Sequence, residues 1–168
     1  MKAAGVLAAI ALALALQTTL ARFLVGGSAA VDLVLVAVVG VALTTGPVGG
    51  LLAGSIAGLI QDALGTGVIG IGGLAKSVVG FLAGAIGQQF IVTAALPRLV
   101  IFVAATLVHS ALFMGMYVAL TTFEFGSPWK AVTTQALGNA LVGIVAFTMI
   151  ESLPGMAERR RAGRRRRR

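Results

Sequence analysis

Apolar residues run almost without interruption through the chain, and short groups of glycine, proline, serine and threonine separate the runs. A helix needs about 20 apolar residues to cross the hydrocarbon core of a bilayer. The pattern predicts six such helices, over residues 3–20, 32–43, 47–64, 69–90, 99–120 and 131–153. Alternation with a period of two is missing throughout, so the pattern does not favour a membrane β-barrel.

The connection between the second and third predicted helices is very short. The second helix is itself short, and Thr44-Thr45-Gly46-Pro47 follows it directly. Glycine and proline end helices and form tight turns, because glycine tolerates unusual backbone angles and proline lacks an N–H donor. We therefore expect these two helices to form an antiparallel hairpin within a compact, all-α, six-helix membrane bundle.

Composition supports a membrane protein. The 168 residues are 58% hydrophobic and 11% charged, with a mean hydropathy of +1.03. Half of the charged residues lie in the last eleven positions, so the rest of the chain is almost free of charge. This division predicts a transmembrane domain over residues 1–157 and a basic, disordered cytoplasmic tail over residues 158–168.

The sequence offers no set of residues for catalysis or for binding a metal or cofactor. Cysteine is absent, and His109 is the single histidine. A histidine ligand set for a metal is therefore impossible, and no nucleophile, histidine and acid are arranged as a triad. We expect a protein that is not an enzyme and has no cofactor.

The arginine-rich tail predicts the orientation of the helices. Basic residues are enriched in cytoplasmic loops, and with six helices both termini lie on the same side. The tail therefore indicates cytoplasmic termini and adhesion to anionic lipids. No aromatic residues are interleaved with the arginines, so nucleic-acid binding is not favoured. The anchoring residues are Arg159, Arg160, Arg161, Arg164, Arg165, Arg166, Arg167 and Arg168.

The first apolar run has two interpretations. Met1-Lys2, an Ala/Leu run and the following QTTLA resemble a secretory signal peptide. A retained membrane helix is favoured, because the apolar run is at the long end for a signal peptide. The mass of the mature protein distinguishes the two.

Glycines recur every fourth residue along the third predicted helix, and a second pair lies on the fourth. Small residues at this spacing let helix backbones approach closely in lipid, where apolar burial gives little driving force. Such a stripe either docks a partner's transmembrane helix or packs helices two, three and four together. The residues are Gly46, Gly50, Gly54, Gly58, Gly80 and Gly84.

Charged residues within the apolar runs form a candidate polar cluster. Asp62 and Lys76 lie on neighbouring helices beneath the outer surface, where we expect them to form an ion pair, with Asp32 and Arg22 nearby. Burying a charge in a membrane costs on the order of 3 kcal/mol, so such residues have a role. The cluster either holds the glycine-rich loop in place or acts in partner recognition or gating.

Other polar residues within the helices favour packing roles. We interpret His109 as forming an interhelical hydrogen bond, since its own helix offers no acidic neighbour for a proton relay. Asn139 and Gln135 are interpreted as polar contacts between helices. Trp129 fits an interfacial anchor.

Residues 32–84 contain motifs in a defined order: an aspartate opening an apolar helix, a Gly-Pro turn, the glycine stripe, an embedded aspartate, a glycine-rich loop and a final VGFLAG. This order of motifs resembles that of the rod shape-determining protein MreD family. It implies a non-enzymatic, multi-pass subunit of the bacterial cytoplasmic membrane. The motifs are Val31-Asp32-Leu33, Gly46-Pro47, Gly50 to Asp62, Gly65-Gly67-Gly70 and Val79 to Gly84.

The resemblance also implies partners. These are the single-span coiled-coil protein MreC and, through it, a RodA-type glycosyltransferase with its transpeptidase and MreB filaments, which together elongate the cell wall. In overall architecture the family is similar to the S components of energy-coupling-factor transporters. A substrate-binding S component for vitamin or metal uptake is therefore the alternative function.

Overall fold

The computed structural model describes residues 3–23, 31–90, 94–121 and 126–165. Five helices and no strand form within these ranges, which confirms the all-α class. The helices are α1 (Ala3–Phe23), α2 (Leu33–Leu64), α3 (Ile71–Gln89), α4 (Ala95–Leu120) and α5 (Trp129–Arg165).

Four helices are long and apolar enough to cross a membrane: α2, α3, α4 and the segment Trp129–Ile150 of α5. A shorter apolar helix, Ala4–Thr19, lies within α1. The described residues thus form five helices where the sequence predicted six, because the second and third predicted helices belong to one element, α2. The number of crossings and the side on which the termini lie stay predictions.

The helix ends also differ from the predicted ones. α1 continues to Phe23, so Arg22 belongs to a helix and not to the first loop. α5 continues to Arg165, past the predicted end at Leu153. Apolar periodicity alone does not fix a helix boundary, and α5 continues through Pro154-Gly155, although proline and glycine usually end a helix.

A sharp break at Gly46 divides α2 into two limbs, residues 33–45 and 47–64. Gly46 has φ 84° and ψ −174°, a conformation that favours glycine, and Pro47 follows it. A side chain built on Gly50 would place its Cβ 2.6 Å from the Cβ of Ala42. Residues eight apart in a straight helix are about 12 Å apart. The limbs therefore fold back on each other, as the sequence predicted for this turn.

Helix α3 packs against both limbs of this hairpin. Position 80 faces Val38 of the first limb and Gly50 of the second. Along the second limb, a Cβ on Gly58 would lie 2.6 Å from the Cα of Gly73. The first limb therefore runs parallel to α3 and the second antiparallel to it. A Cβ on Gly50 would collide with the carbonyl oxygen of Gly80, so this packing requires glycine.

The interior of the bundle combines an apolar core with several buried polar residues, and many large apolar side chains lie on the outside. Each described helix carries a large apolar residue that is more than half exposed, as at Leu7, Leu52, Leu74, Val118 and Leu137. An apolar exterior and polar groups that face the interior are typical of a membrane bundle. The buried polar residues are Asp32, Lys76, Arg98, Thr106, His109, Ser110 and Asn139.

Gly54→Ala and Gly115→Ala form a matched pair that tests this packing. A Cβ on Gly54 would collide with the carbonyl oxygen of Lys76, whereas a Cβ on Gly115 meets nothing within 4 Å. Gly54→Ala should destabilise the protein by about 1–3 kcal/mol through overpacking. Gly115→Ala should be neutral or stabilising by up to about 1 kcal/mol. Thermal unfolding of the purified protein in detergent, followed by circular dichroism, gives both values; equal effects would contradict the packing described.

Candidate functional site

A buried ion pair joins α3 to the start of α2. The Lys76 Nζ lies 2.9 Å from the Asp32 Oδ2, and the two side chains are 4% and 7% exposed. The structure therefore corrects the predicted pairing of Lys76 with Asp62. Because the first limb of the α2 hairpin runs parallel to α3, its start lies beside the first turns of α3. A sequence gives no means of deciding between the two aspartates.

Asp62 instead holds the glycine-rich loop between α2 and α3. Its Oδ2 accepts hydrogen bonds from the backbone N–H groups of Gly70, at 2.9 Å, and of Gly73, at 3.0 Å. Both donors lie at the start of α3, where N–H groups lack partners within the helix and the helix dipole favours a negative charge. The sequence interpretation of Asp62 as a structural contact to this loop agrees with this geometry.

His109 of α4 contacts the same lysine. Its Nε2 lies 3.2 Å from the Lys76 Nζ. A lysine ammonium group only donates, so Nε2 accepts, and the proton of the neutral imidazole resides on Nδ1. His109 is 6% exposed, and Nδ1 has no hydrogen-bond partner among the described residues. The histidine thus presents an unused N–H donor inside the protein.

Asp32 also connects the ion pair to α5. Its Oδ1 accepts from the N–H of Leu35, at 2.9 Å, and so caps α2. Its own backbone N–H donates to the Asn139 Oδ1, at 2.8 Å, and the Asn139 Nδ2 donates to the Thr106 Oγ1, at 3.0 Å. The prediction of an interhelical contact by Asn139 is confirmed.

A glutamine of α1 completes the network. The Gln17 Nε2 donates to the carbonyl oxygen of Val31, at 3.2 Å, and the N–H of Leu33 donates to the Gln17 Oε1, at 2.8 Å. Both contacts flank Asp32. One hydrogen-bonded network therefore includes a residue from every helix of the bundle.

The network borders a partly open cavity of about 520 Å³ at one end of the bundle. Its wall combines charged, amide, hydroxyl, thioether and aromatic groups, which is unusual within so apolar a protein. The lining residues are Gln17, Asp32, Gln61, Asp62, Gly65, Gly67, Val68, Lys76, His109, Ser110, Phe113, Met114, Tyr117, Ala131, Val132 and Gln135.

The glycine stripe lies between helices of this chain. Side chains built on Gly50, Gly54 and Gly58 would meet the backbone of α3, and one built on Gly84 would meet the backbone of Gly46. All six predicted glycines are buried. These contacts favour packing within the chain over docking of a partner's helix, because α3 already occupies this face.

The other predicted site residues do not enter the described network. The side chain of Arg22 lies outside the described residues. The backbone of the tail is helical to Arg165, the last described residue, and the side chains there also lie outside the description. Within the described part of the chain, no group of three His, Cys, Asp or Glu residues could hold a metal ion.

The interhelical hydrogen bond predicted for His109 is confirmed by its contact with Lys76 of α3. The sequence does not predict that His109 belongs to the polar cluster, because its own helix offers no acidic neighbour and Lys76 lies on another helix. Its position in the middle of an apolar run was a usable signal, because a polar group at that depth needs a partner from another helix.

Comparisons with protein-family models, with curated proteins and with solved structures gave no match to this chain. A proposal of function therefore depends on the geometry of the structure and on the motif order of residues 32–84.

Asp32→Asn should destabilise the protein by about 3–5 kcal/mol, because it leaves the Lys76 ammonium buried without a counter-charge. Asparagine can still cap a helix, so the loss of stability reports the removal of the negative charge and not the loss of the helix cap. Adding Lys76→Met should recover most of the stability. Asp62→Asn is the matched control, since its amide oxygen still accepts from the loop N–H groups. Chemical or thermal unfolding in detergent compares these variants with the unmodified protein and with the Lys76→Met single variant; additive effects of the two substitutions at 32 and 76 would contradict the ion pair.

The single histidine allows a direct test of its tautomer. Protein labelled with ring-¹⁵N histidine and purified through a tag free of histidine should show one protonated nitrogen, Nδ1, and one unprotonated nitrogen, Nε2. The Lys76→Met variant removes the donor to Nε2, and the tautomer ratio should shift towards protonated Nε2. A histidine protonated at Nε2 in the unmodified protein would contradict the assigned contact with Lys76.

Proposed function

We propose that this chain is a non-enzymatic scaffold subunit of the bacterial cell-elongation complex, in the manner of MreD. In this proposal it is a multi-pass protein of the cytoplasmic membrane and binds an MreC-like single-span protein by helix packing. Through that partner it acts on a RodA-type glycosyltransferase with its transpeptidase and on MreB filaments. The arginine tail attaches the cytoplasmic end to anionic lipids.

The motif order is the sequence support for this proposal. The matched stretch, residues 32–84, corresponds in the structure to the capping Asp32, the α2 hairpin and most of α3. These parts pack on one another through glycine contacts and the ion pair. The motifs thus lie within one structural unit, which is the arrangement expected if they specify a common fold.

The observation that carries the proposal is an apolar groove along the side of the bundle. It has a volume of about 270 Å³ and lies between α1, the first limb of α2, α4 and α5. Its floor includes small residues, among them Ala13, Ala37, Gly40 and Ala146. Small residues permit close backbone approach between helices in lipid. The groove therefore provides a place for one transmembrane helix of a partner.

A second candidate function is that of a substrate-binding subunit of the S-component type. The polar cavity beside the ion pair is the observation that favours it, because a purely structural scaffold needs no such chamber. This candidate predicts that the isolated chain binds a small molecule.

Ala146→Leu should prevent partner binding by filling the groove while leaving the fold intact, since residue 146 is only partly buried. The measurement is co-purification of the chain with a co-expressed single-span coiled-coil protein of the MreC type. Recovery of the partner should fall at least about tenfold, the effect of about 1.4 kcal/mol of lost binding.

Ala104→Leu is the matched control. Residue 104 is exposed on α4 and does not line the groove, so the same increase in size should leave co-purification unchanged. Failure of the unmodified chain to retain the partner would contradict the proposed function. Equal retention by both variants would contradict the assignment of the groove as its binding surface.

A further inference from the structure

We infer that the polar cavity binds a small organic cation that combines an ammonium group with a flat apolar body, as an arylalkyl amine does. Asp62 holds the ammonium group, and the aromatic residues of α4 hold the body. The inference goes beyond the scaffold function and depends neither on that function nor on the apolar groove. The charges, the accessible atoms and the aromatic part of the cavity wall carry it.

The cavity has the size of a site for a small molecule. Such sites usually have volumes of about 300–1,000 Å³ and combine apolar walls with a few polar groups. The present cavity has a volume of about 520 Å³, is partly open and is lined by both kinds of group. A ligand of this class therefore has both space and a route of entry.

The charged side chains of the cavity wall leave one negative charge without a partner. They are Asp32, Asp62 and Lys76. His109 also lines the cavity, but it accepts a hydrogen bond from Lys76 and is neutral. Lys76 and Asp32 neutralise each other across 2.9 Å, whereas Asp62 forms no ion pair with a described residue. The N-terminus of α3 carries the equivalent of about half a positive charge and offsets Asp62 only in part. The wall therefore favours a cationic ligand.

Asp62 has an oxygen available for the ammonium group. Its Oδ2 accepts from the N–H groups of Gly70 and Gly73, which fixes the carboxylate, and its Oδ1 accepts from no described residue. The described polar atoms that are fully buried and lack a partner are the Gln61 Oε1 and the His109 Nδ1. The Asp62 Oδ1 is not one of them, so it retains accessible surface on a side chain that lines the cavity. It can accept a charge-assisted hydrogen bond from a ligand.

Contacts through one loop place Asp62 close to the aromatic wall. The Tyr117 hydroxyl oxygen accepts from the N–H of Val68 at 3.2 Å, and the Asp62 Oδ2 accepts from the N–H of Gly70 at 2.9 Å. Two successive residues of a chain span at most about 7 Å, so the hydroxyl and the carboxylate lie within roughly 13 Å of each other. Both side chains line the cavity, and one arylalkyl amine can contact both.

The aromatic part of the wall favours a flat apolar body. Phe113 and Tyr117 pack at a centroid distance of 5.2 Å, and Met114 lies beside them on the cavity wall. All three side chains are only partly buried, so each has surface left for a ligand. Aromatic and thioether side chains form favourable contacts with flat rings, and aromatic faces also attract cations. The wall thus suits both parts of an arylalkyl ammonium ion.

The test is a titration of the full chain, labelled with ¹³Cγ-aspartate, in nanodiscs of a zwitterionic lipid. Three probes share a phenyl ring and differ in the end group: 2-phenylethylammonium is a cation, 2-phenylethanol is neutral and phenylacetate is an anion. The chain has two aspartates, and the cation should shift the Asp62 signal saturably and the Asp32 signal less. The other two probes should bind at least about tenfold more weakly, the effect of one lost charge-assisted hydrogen bond.

Asp62→Asn keeps an acceptor for the loop but removes the charge. Equilibrium dialysis, corrected for uptake by protein-free nanodiscs, should show at least about tenfold weaker binding of 2-phenylethylammonium and unchanged binding of 2-phenylethanol. Phe113→Leu should weaken the binding of both probes alike, by about threefold, because it removes a ring contact. Phe81→Leu is the matched control, since Phe81 is exposed on α3 and does not line the cavity.

The inference is overturned if the Asp62 signal shows no saturable shift, if the three probes bind alike, if phenylacetate binds best, or if Asp62→Asn keeps the preference for the cation. The titration uses the unmodified chain, so its outcome does not depend on the folding of any variant. Partner co-purification is measured separately, so failure of this inference is distinguishable from failure of the scaffold proposal.

Discussion

The contact between Lys76 and Asp32 is the constraint on which the rest of the structure depends. Both charges lie in a protein whose exterior is apolar, and neither is tolerated in lipid unless the other is close. Asp32 additionally caps α2 and binds Asn139 of α5, while Lys76 contacts His109 of α4. Satisfying one ion pair therefore fixes the relative positions of four helices, and Gln17 adds the fifth through the residues on either side of Asp32.

The glycine stripe and the ion pair are two parts of the same contact. A Cβ on Gly54 would collide with the carbonyl oxygen of Lys76, so the absence of a side chain at 54 sets how closely α3 approaches the second limb of α2. That approach places Lys76 beside the start of the first limb. Ser55 and Ser77 extend the contact with a hydrogen bond of 2.7 Å. Glycine is a poor helix former, but here it allows the close backbone packing that supports the ion pair.

Much of the fold follows from the sequence, and the pairing within the site does not. The apolar runs predict the helices, and Gly46-Pro47 predicts the hairpin turn, because both are local consequences of composition and backbone freedom. The partner of Lys76 depends on which ends of α2 and α3 lie together, which is a tertiary property. The same holds for His109, whose hydrogen bond joins it to Lys76 of α3, 33 residues earlier in the chain. Local patterns identified the costly residues but did not reveal their contacts.

The most direct measurement is a solid-state NMR distance experiment on the protein in lipid bilayers, labelled with ¹⁵Nζ-lysine and ¹³Cγ-aspartate. The chain has three lysines, Lys2, Lys76 and Lys130, and two aspartates, Asp32 and Asp62. The structure predicts that one lysine signal dephases rapidly through a nearby carboxylate, and that the effect disappears in Asp32→Asn and persists in Asp62→Asn. Loss of the effect in Asp62→Asn alone, or no rapid dephasing at any lysine, would contradict the account.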